Sequence, residues 1–219
     1  MTPRAAAPAG SDSHLDTANF LFGSRELNVW LFALAQQMRS PDLDPTLGLI
    51  SALGSFPPAV YYARAIGGAA LKVVRDPQRR TLTRTELNGA WADVRFRFLL
   101  AAAIAAVLVH VLKGWLDFPR PWKIYGPHFG DFTLLVDSEG SFPSGHATVT
   151  AVVVGSLWAH AASRSARALL LVYLALVGIS RILLGAHFPE DVAGGYAVEF
   201  ASVWTASRIL SASRLARPN

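Results

Sequence analysis

The sequence predicts an all-α fold, a membrane-embedded helical bundle of five or six transmembrane helices, and three observations carry that expectation. Hydrophobic residues make up 52% of the 219-residue chain and charged residues only 16%, against about 25% charged in ordinary soluble domains. The apolar residues gather into runs at 98–112, 147–162, 168–179 and 192–207, each near or just under the roughly 20 residues that a bilayer-crossing helix needs. Arginines cluster at the ends of these runs rather than along them. A mean hydropathy of +0.33 is moderate and leaves a buried, water-soluble helical bundle as the competing reading. Arginine placement is what opposes it. The length suits one domain. The absence of cysteine excludes a disulfide framework, a thiolate zinc site and an iron–sulfur cluster. A net charge of +5 suits nucleic acid or anionic lipid, but no continuous basic stripe with interleaved aromatics is present. The bilayer is therefore the expected partner, and nucleic acid is not.

Residues 1–24, rich in Ala, Pro, Gly and Ser, read as a disordered N-terminal tail without the apolar centre and cleavage site of a signal peptide. Residues 25–38 set Leu27, Trp30, Leu31 and Leu34 near helical spacing. That segment is too short and polar to span, so it fits a helix lying at the membrane interface or one capping the bundle. Its ambiguity is why the count stays at five or six. Ser40-Pro41-Asp42 breaks it, and Pro45 suits the opening of the next helix. The apolar segment 45–74 is interrupted by Gly54, Pro57, Pro58 and Arg64. Residues 75–97, with Arg75, Arg79, Arg80, Arg84, Arg95 and Arg97, read as a basic polar loop.

The run 98–112 has His110 as its only polar side chain and ends at Lys113. Residues 114–142 have the aromatic, Pro and Gly content of a structured loop at the membrane–water boundary. If helices 98–113, 145–162, 166–184 and 190–207 cross in turn, the arginine-rich segments 75–97, 164–167 and 208 onward share one side. The positive-inside rule assigns that side to the cytoplasm. Lys113, Arg120, His146, Arg181, His187 and Asp191 then share the opposite one, so the expected active site is non-cytoplasmic. The domain reading is one helical membrane domain at 25–212, with its catalytic core at 96–207 and a tail at 213–219.

Three groups of residues carry chemistry. Ser144 is a good N-cap and Gly145 leaves backbone open before the helix that follows, so free N–H groups and a positive dipole end suit a phosphate there. Taken alone, this is an ordinary capped turn. His146 adds a titratable group in the first turn. His187 and Asp191 stand four residues apart with Pro189 between them, so a helix starting at Pro189 lets the carboxylate fix the imidazole tautomer. Two histidines and an aspartate from separate segments are also zinc or iron ligand types, but three cations nearby make a divalent metal electrostatically unwelcome. Lys113, Arg120 and Arg181 could each snorkel singly; converging, they would clamp the oxygens of a transferring phosphoryl group.

KGWLDFPRP (113–121), PSGH (143–146) and SRILLGAHFPED (180–191) resemble, in order and residue for residue, the three-part signature of the type 2 phosphatidic acid phosphatase superfamily. That superfamily includes membrane lipid phosphate phosphatases and, more distantly, vanadium haloperoxidases. Phe142 and Val192-Ala193-Gly194-Gly195 are similar to the bacterial membrane members. The resemblance implies that His187 is the nucleophile of a phosphohistidine intermediate, that Asp191 orients it, and that His146 protonates the leaving alkoxide and then activates water. It implies that Lys113, Arg120, Ser144, Gly145 and Arg181 bind phosphoryl oxygens, with no cofactor and no metal. The implied substrate is a lipid phosphate or diphosphate of the phosphatidic acid, phosphatidylglycerophosphate or undecaprenyl diphosphate type. The implied location is the bacterial inner membrane, with the site on the periplasmic or extracellular side.

A vanadate-dependent haloperoxidase is the alternative enzyme, opposed by the short chain and its apolar runs. An anion transporter or channel explains the cations but gives no reason for a His–Asp pair beside a second His. Outside the motifs, Arg64 and Glu199 are charges within apolar segments, expected to face the bundle interior or an interface, as a pair if they meet. His110 reads as a packed or interfacial histidine.

Overall fold

The computed structural model describes residues 25–55, 84–125, 140–158, 161 and 163–215. The expected tail at 1–24, the break at Pro57 and Pro58, Arg64, residues 75–83 and the middle of the 114–142 loop lie outside them. Among the described residues the chain is all-helical. Helix α1 runs Arg25–Gln37 and a 3₁₀ turn Pro41–Leu43; α2 is Asp44–Ala52, α3 Arg84–Leu116 and α4 Pro121–Tyr125. Helix α5 is Gly145–Trp158, α6 Arg164–Leu183 and α7 Pro189–Leu215.

Two segments, Phe96–Tyr125 and Arg164–Leu183, are long and apolar enough to cross a membrane, and 11% and 28% of their apolar windows are buried within the protein. The first comprises the second half of α3 and continues through the turn into α4. Helix α5 is apolar but shorter, at 14 residues. Helix α7 has 27 residues, about 40 Å at 1.5 Å per residue, and its last residues enter the stretch expected as a tail.

One expectation is corrected here. Residues 84–97 are not loop: they form the first turns of α3. No proline interrupts that stretch, and its Arg, Glu and Ala residues sustain a helix well enough to carry Gly89. The helix therefore continues where the apolar run stops.

Helices α5 and α7 pack most extensively, with α3 against both and α6 against α5. Glycines set how near the two central helices come. A Cβ on Gly195 would press on the Ser144 carbonyl and Ala147, and one on Gly155 would collide with the carboxylate of Glu199. Glu199 thus lies against the backbone of α5, facing the bundle as expected of a charge inside an apolar segment. Phe98, Ala101, Ala105, Val152, Val153 and Leu157 form the heart of the apolar core.

Helix α1 rests across one end of the bundle by a face not singled out by its apolar stripe. Asn28 accepts the Glu190 N–H at 3.1 Å, and Gln36 donates to the Ile182 carbonyl at 2.7 Å. Phe32, between them, is buried against Phe188 and Tyr125. Leu27, Trp30, Leu31 and Leu34 point away from the protein. The helix thus caps the bundle and turns an apolar stripe outward, which fits both sequence readings. Arg39 grips Asp44 through two hydrogen bonds, of 3.0 and 2.5 Å, across the 3₁₀ turn that leads into α2.

Candidate active site

All three motifs meet at one end of the bundle, where α3 and α6 finish and α5 and α7 begin. Gly185 turns the chain between α6 and α7. At φ 72° it takes the left-handed position that glycine adopts without strain. The amides of Ala186 and His187 then fold back onto the Arg181 carbonyl, at 3.1 and 3.2 Å. This reversal places His187 over the helix end that carries Arg181. Pro189 opens α7, with Asp191 in its first turn, as the spacing predicts.

His187 is 1% exposed. Its Nδ1 lies 3.3 Å from Asp191 Oδ2, so the carboxylate holds the proton on Nδ1 and leaves Nε2 unprotonated. Nε2 faces the guanidinium of Arg120, with Nη1 at 3.2 Å. Burial holds the His187 pKa well below the usual 6.5, helped by the positive charges of Arg120, Arg181 and Lys113 and by His146. A neutral imidazole results. Asp191 is itself fixed: the Phe188 N–H donates to Oδ2 at 2.8 Å, and the Ser141 hydroxyl donates to the same oxygen. Ser141 also lies 3.5 Å from His187 Nδ1.

Arg120 and Arg181 are each 3% exposed. Burying an ion costs several kcal/mol unless partners compensate. Arg120 donates to the Ala186 carbonyl at 3.1 Å, and Arg181 donates to the Ser51 hydroxyl of α2 at 2.7 Å. The Nε of Arg181 is buried and has no hydrogen-bond partner. Lys113, in the last turn of α3, donates to the carbonyls of Gly140 at 2.6 Å and Ser141 at 3.5 Å. It ties the first motif to the residues just before the second.

Ser144 caps α5 as expected, its hydroxyl accepting from the Ala147 amide at 3.4 Å. Its own N–H donates to the Asp191 carbonyl at 2.9 Å, which locks the second motif to the third. Gly145 has open space where a Cβ would stand, and His146 is half-buried in the first turn. His110 is exposed and stands outside the cluster. Among the described residues, no three His, Cys, Asp or Glu side chains group as metal ligands.

The structure therefore brings Lys113, Arg120, Ser144, Gly145, His146, Arg181, His187 and Asp191 to one end of the bundle. It adds two residues that the sequence did not disclose, Ser51 and Ser141. Ser141 stands just ahead of the second motif, where its proximity was a usable signal. Ser51 lies 130 positions from Arg181, and no local pattern marks it.

Comparison with known proteins points the same way. The sequence profile of the PAP2 superfamily matches residues 95–215. Phosphatidylglycerophosphatase B of Bacillus subtilis (strain 168) is 37% identical over 110 residues, or 46% of this chain. The chain spans 50% of that relative's length. The crystal structure of Aquifex aeolicus LpxE is similar with a TM-score of 0.58 at 25% identity, over 83% of this chain and 95% of that one. A transmembrane PAP2-type phosphatidylglycerolphosphate phosphatase from Bacillus subtilis shares the fold, with a TM-score of 0.61 at 24% identity over 89% and 90% of the two chains. With more than half its length matched and its three motifs assembled around one histidine, this chain belongs to the PAP2 superfamily.

Proposed function

We propose that the protein is an integral-membrane lipid phosphate phosphatase that works through a phosphohistidine and needs no metal. The observation that carries this reading is a neutral, buried His187, braced at Nδ1 by Asp191, presenting Nε2 to the guanidinium of Arg120. In the first step Nε2 attacks phosphorus, the bond from phosphorus to the alkoxide oxygen breaks, and His146, protonated once the bound phosphate dianion offsets the charges of Arg181 and Arg120, donates that proton to the departing alkoxide. In the second, His146 takes a proton from water, which attacks the phosphohistidine and releases inorganic phosphate. Asp191 stabilises the positive charge that His187 carries in between.

Charge supplies the rest. Lys113, Arg120 and Arg181 face a single carboxylate, Asp191, so the site has an excess of positive charge that a phosphate dianion neutralises. The unpartnered Nε of Arg181 is a donor for a phosphoryl oxygen, and the N-terminus of α5 offers backbone N–H groups to another. This arrangement stabilises charge developing on the transferring group without a divalent ion.

The substrate is an amphiphile with a phosphate monoester or diphosphate head, of the phosphatidic acid, phosphatidylglycerophosphate or undecaprenyl diphosphate type. Five or six helices cross the bacterial inner membrane, and the site opens on the periplasmic or extracellular side. Arg97, Arg164, Arg167 and Arg208, all toward the opposite end of the bundle, support that sidedness.

The test uses the full chain purified in detergent, with a panel of lipid phosphates and with EDTA and vanadate in parallel. Phosphate release that survives EDTA, is inhibited by vanadate and is lost in His187→Ala is expected. Full activity in His187→Ala contradicts the mechanism.

A further inference from the structure

Ser141 stands outside the three motifs, yet it is bonded to the first and the third. It is 0% exposed, so every polar atom it carries needs a partner from the protein. The first motif holds its backbone. The Ser141 N–H donates to the Phe118 carbonyl at 2.7 Å, and the Lys113 ammonium donates to the carbonyls of Gly140 and Ser141. The third motif takes its side chain, whose hydroxyl donates to Asp191 Oδ2.

A hydroxyl has one proton to give. Ser141 gives it to the carboxylate, a charged and therefore stronger acceptor. Only lone pairs are left to face Nδ1 of His187, 3.5 Å away. The Ser141 oxygen can accept a proton from Nδ1 but has none to offer it, so it opposes the tautomer protonated at Nε2, as Asp191 does. Oδ2 of Asp191 thus collects the Ser141 hydroxyl, the Phe188 N–H and Nδ1 of His187. Without Ser141, the Phe188 amide is the remaining donor that orients this oxygen toward the imidazole.

We propose that Ser141 is a positioning residue for the nucleophile: anchored by Lys113 and Phe118, its hydroxyl holds the Asp191 carboxylate against Nδ1 of His187. This rests on the phosphatase reading above and adds to it a route by which Lys113 serves His187 through the protein. Charge gives the role a readout of its own. Burial pushes the Asp191 carboxyl up to about 6, opposed first by the Ser141 hydrogen bond and then by the Phe188 N–H, Lys113 and Arg120. Lys113 at the end of α3, Arg120 ahead of α4 and His187 ahead of α7 face Asp191. His146 at the start of α5 and Arg181 at the end of α6 act on His187. A hydrogen bond donated to a carboxylate favours its charged form. Loss of the Ser141 hydroxyl therefore raises the carboxyl further, and activity that needs an ionised Asp191 fails at a higher pH as the medium is acidified.

The full chain in detergent is assayed from acid to neutral pH with whichever lipid phosphate of the panel above it hydrolyses fastest. Ser141→Ala removes the donor, Ser141→Cys replaces it with a weak one at similar volume, and Ser51→Ala disturbs Arg181 instead. The midpoint of the acid limb does not depend on how much of a variant is folded, and the ionisation of the substrate is common to all. Ser141→Ala is expected to lower kcat about tenfold with KM within about twofold, and to move the acid limb of kcat/KM up by about one pH unit. Ser141→Cys should move it likewise, and Ser51→Ala should leave it in place. An unmoved limb in Ser141→Ala, an equal movement in Ser51→Ala, or unsubstituted behaviour in Ser141→Cys overturns the inference and leaves the phosphatase reading standing. If the unsubstituted protein hydrolyses nothing in the panel, the phosphatase reading fails first and the role of Ser141 fails with it.

Discussion

The two ends of the bundle hold arginine in opposite ways. At the catalytic end Arg120 and Arg181 are each 3% exposed and grip fixed partners: a carbonyl and His187 for one, the Ser51 hydroxyl for the other. At the far end Arg167 and Arg208 are exposed and lie over the rings of Trp158 and Trp204, 5.6 and 5.2 Å from the centroids, Arg167 also donating to the Ala161 carbonyl at 3.1 Å. An exposed arginine beside tryptophan is an interfacial anchor, hydrated and replaceable. A buried one has lost its water and depends on fixed partners, as Arg120 does on the Ala186 carbonyl and Arg181 on the Ser51 hydroxyl. Burial thus exchanges hydration for fixed protein partners in the same side chain.

Substitution at the catalytic end gives the largest effect expected from this contrast. Arg181→Lys keeps the charge but loses the planar fork, and kcat/KM for a lipid phosphate should fall about 100-fold. A loss under threefold would erase the distinction between the two ends. Ser51→Ala acts one step removed. It leaves a buried guanidinium N–H without its acceptor, an expense of about 1–3 kcal/mol. Steady-state kinetics should show about a five- to tenfold fall in kcat/KM, with Arg181→Lys already in place masking most of it. Additive losses would mean that Ser51 acts elsewhere. The smallest effect is expected at the far end, where Arg167→Ala and Arg208→Ala should leave kcat/KM within about twofold and reduce thermal stability by about 0.5–1 kcal/mol each.

Much of the site was legible in the sequence because its chemistry is packed into short motifs at helix ends. Ser144 as cap, Pro189 as helix start and the His187–Asp191 spacing each follow from local rules. Tertiary partners were not legible. Ser51 reaches Arg181 only through the packing of α2 on α6. The docking face of α1 was missed for a related reason. Its apolar stripe marks what turns outward, while Asn28, Phe32 and Gln36 at four-residue spacing mark what is held. The start of α3 was misplaced because the apolar run, which reports lipid, was read as the extent of the helix. A helix passing from lipid into water changes composition without changing conformation.

The claim at the centre is that His187 carries the phosphoryl group. Brief reaction with a ³²P-labelled lipid phosphate, an alkaline quench and peptide mapping test it directly. Label on the segment 182–190, absent in His187→Ala, is the predicted result. Phosphate release by the unsubstituted protein with no label at His187, or label persisting on another residue in His187→Ala, would contradict it.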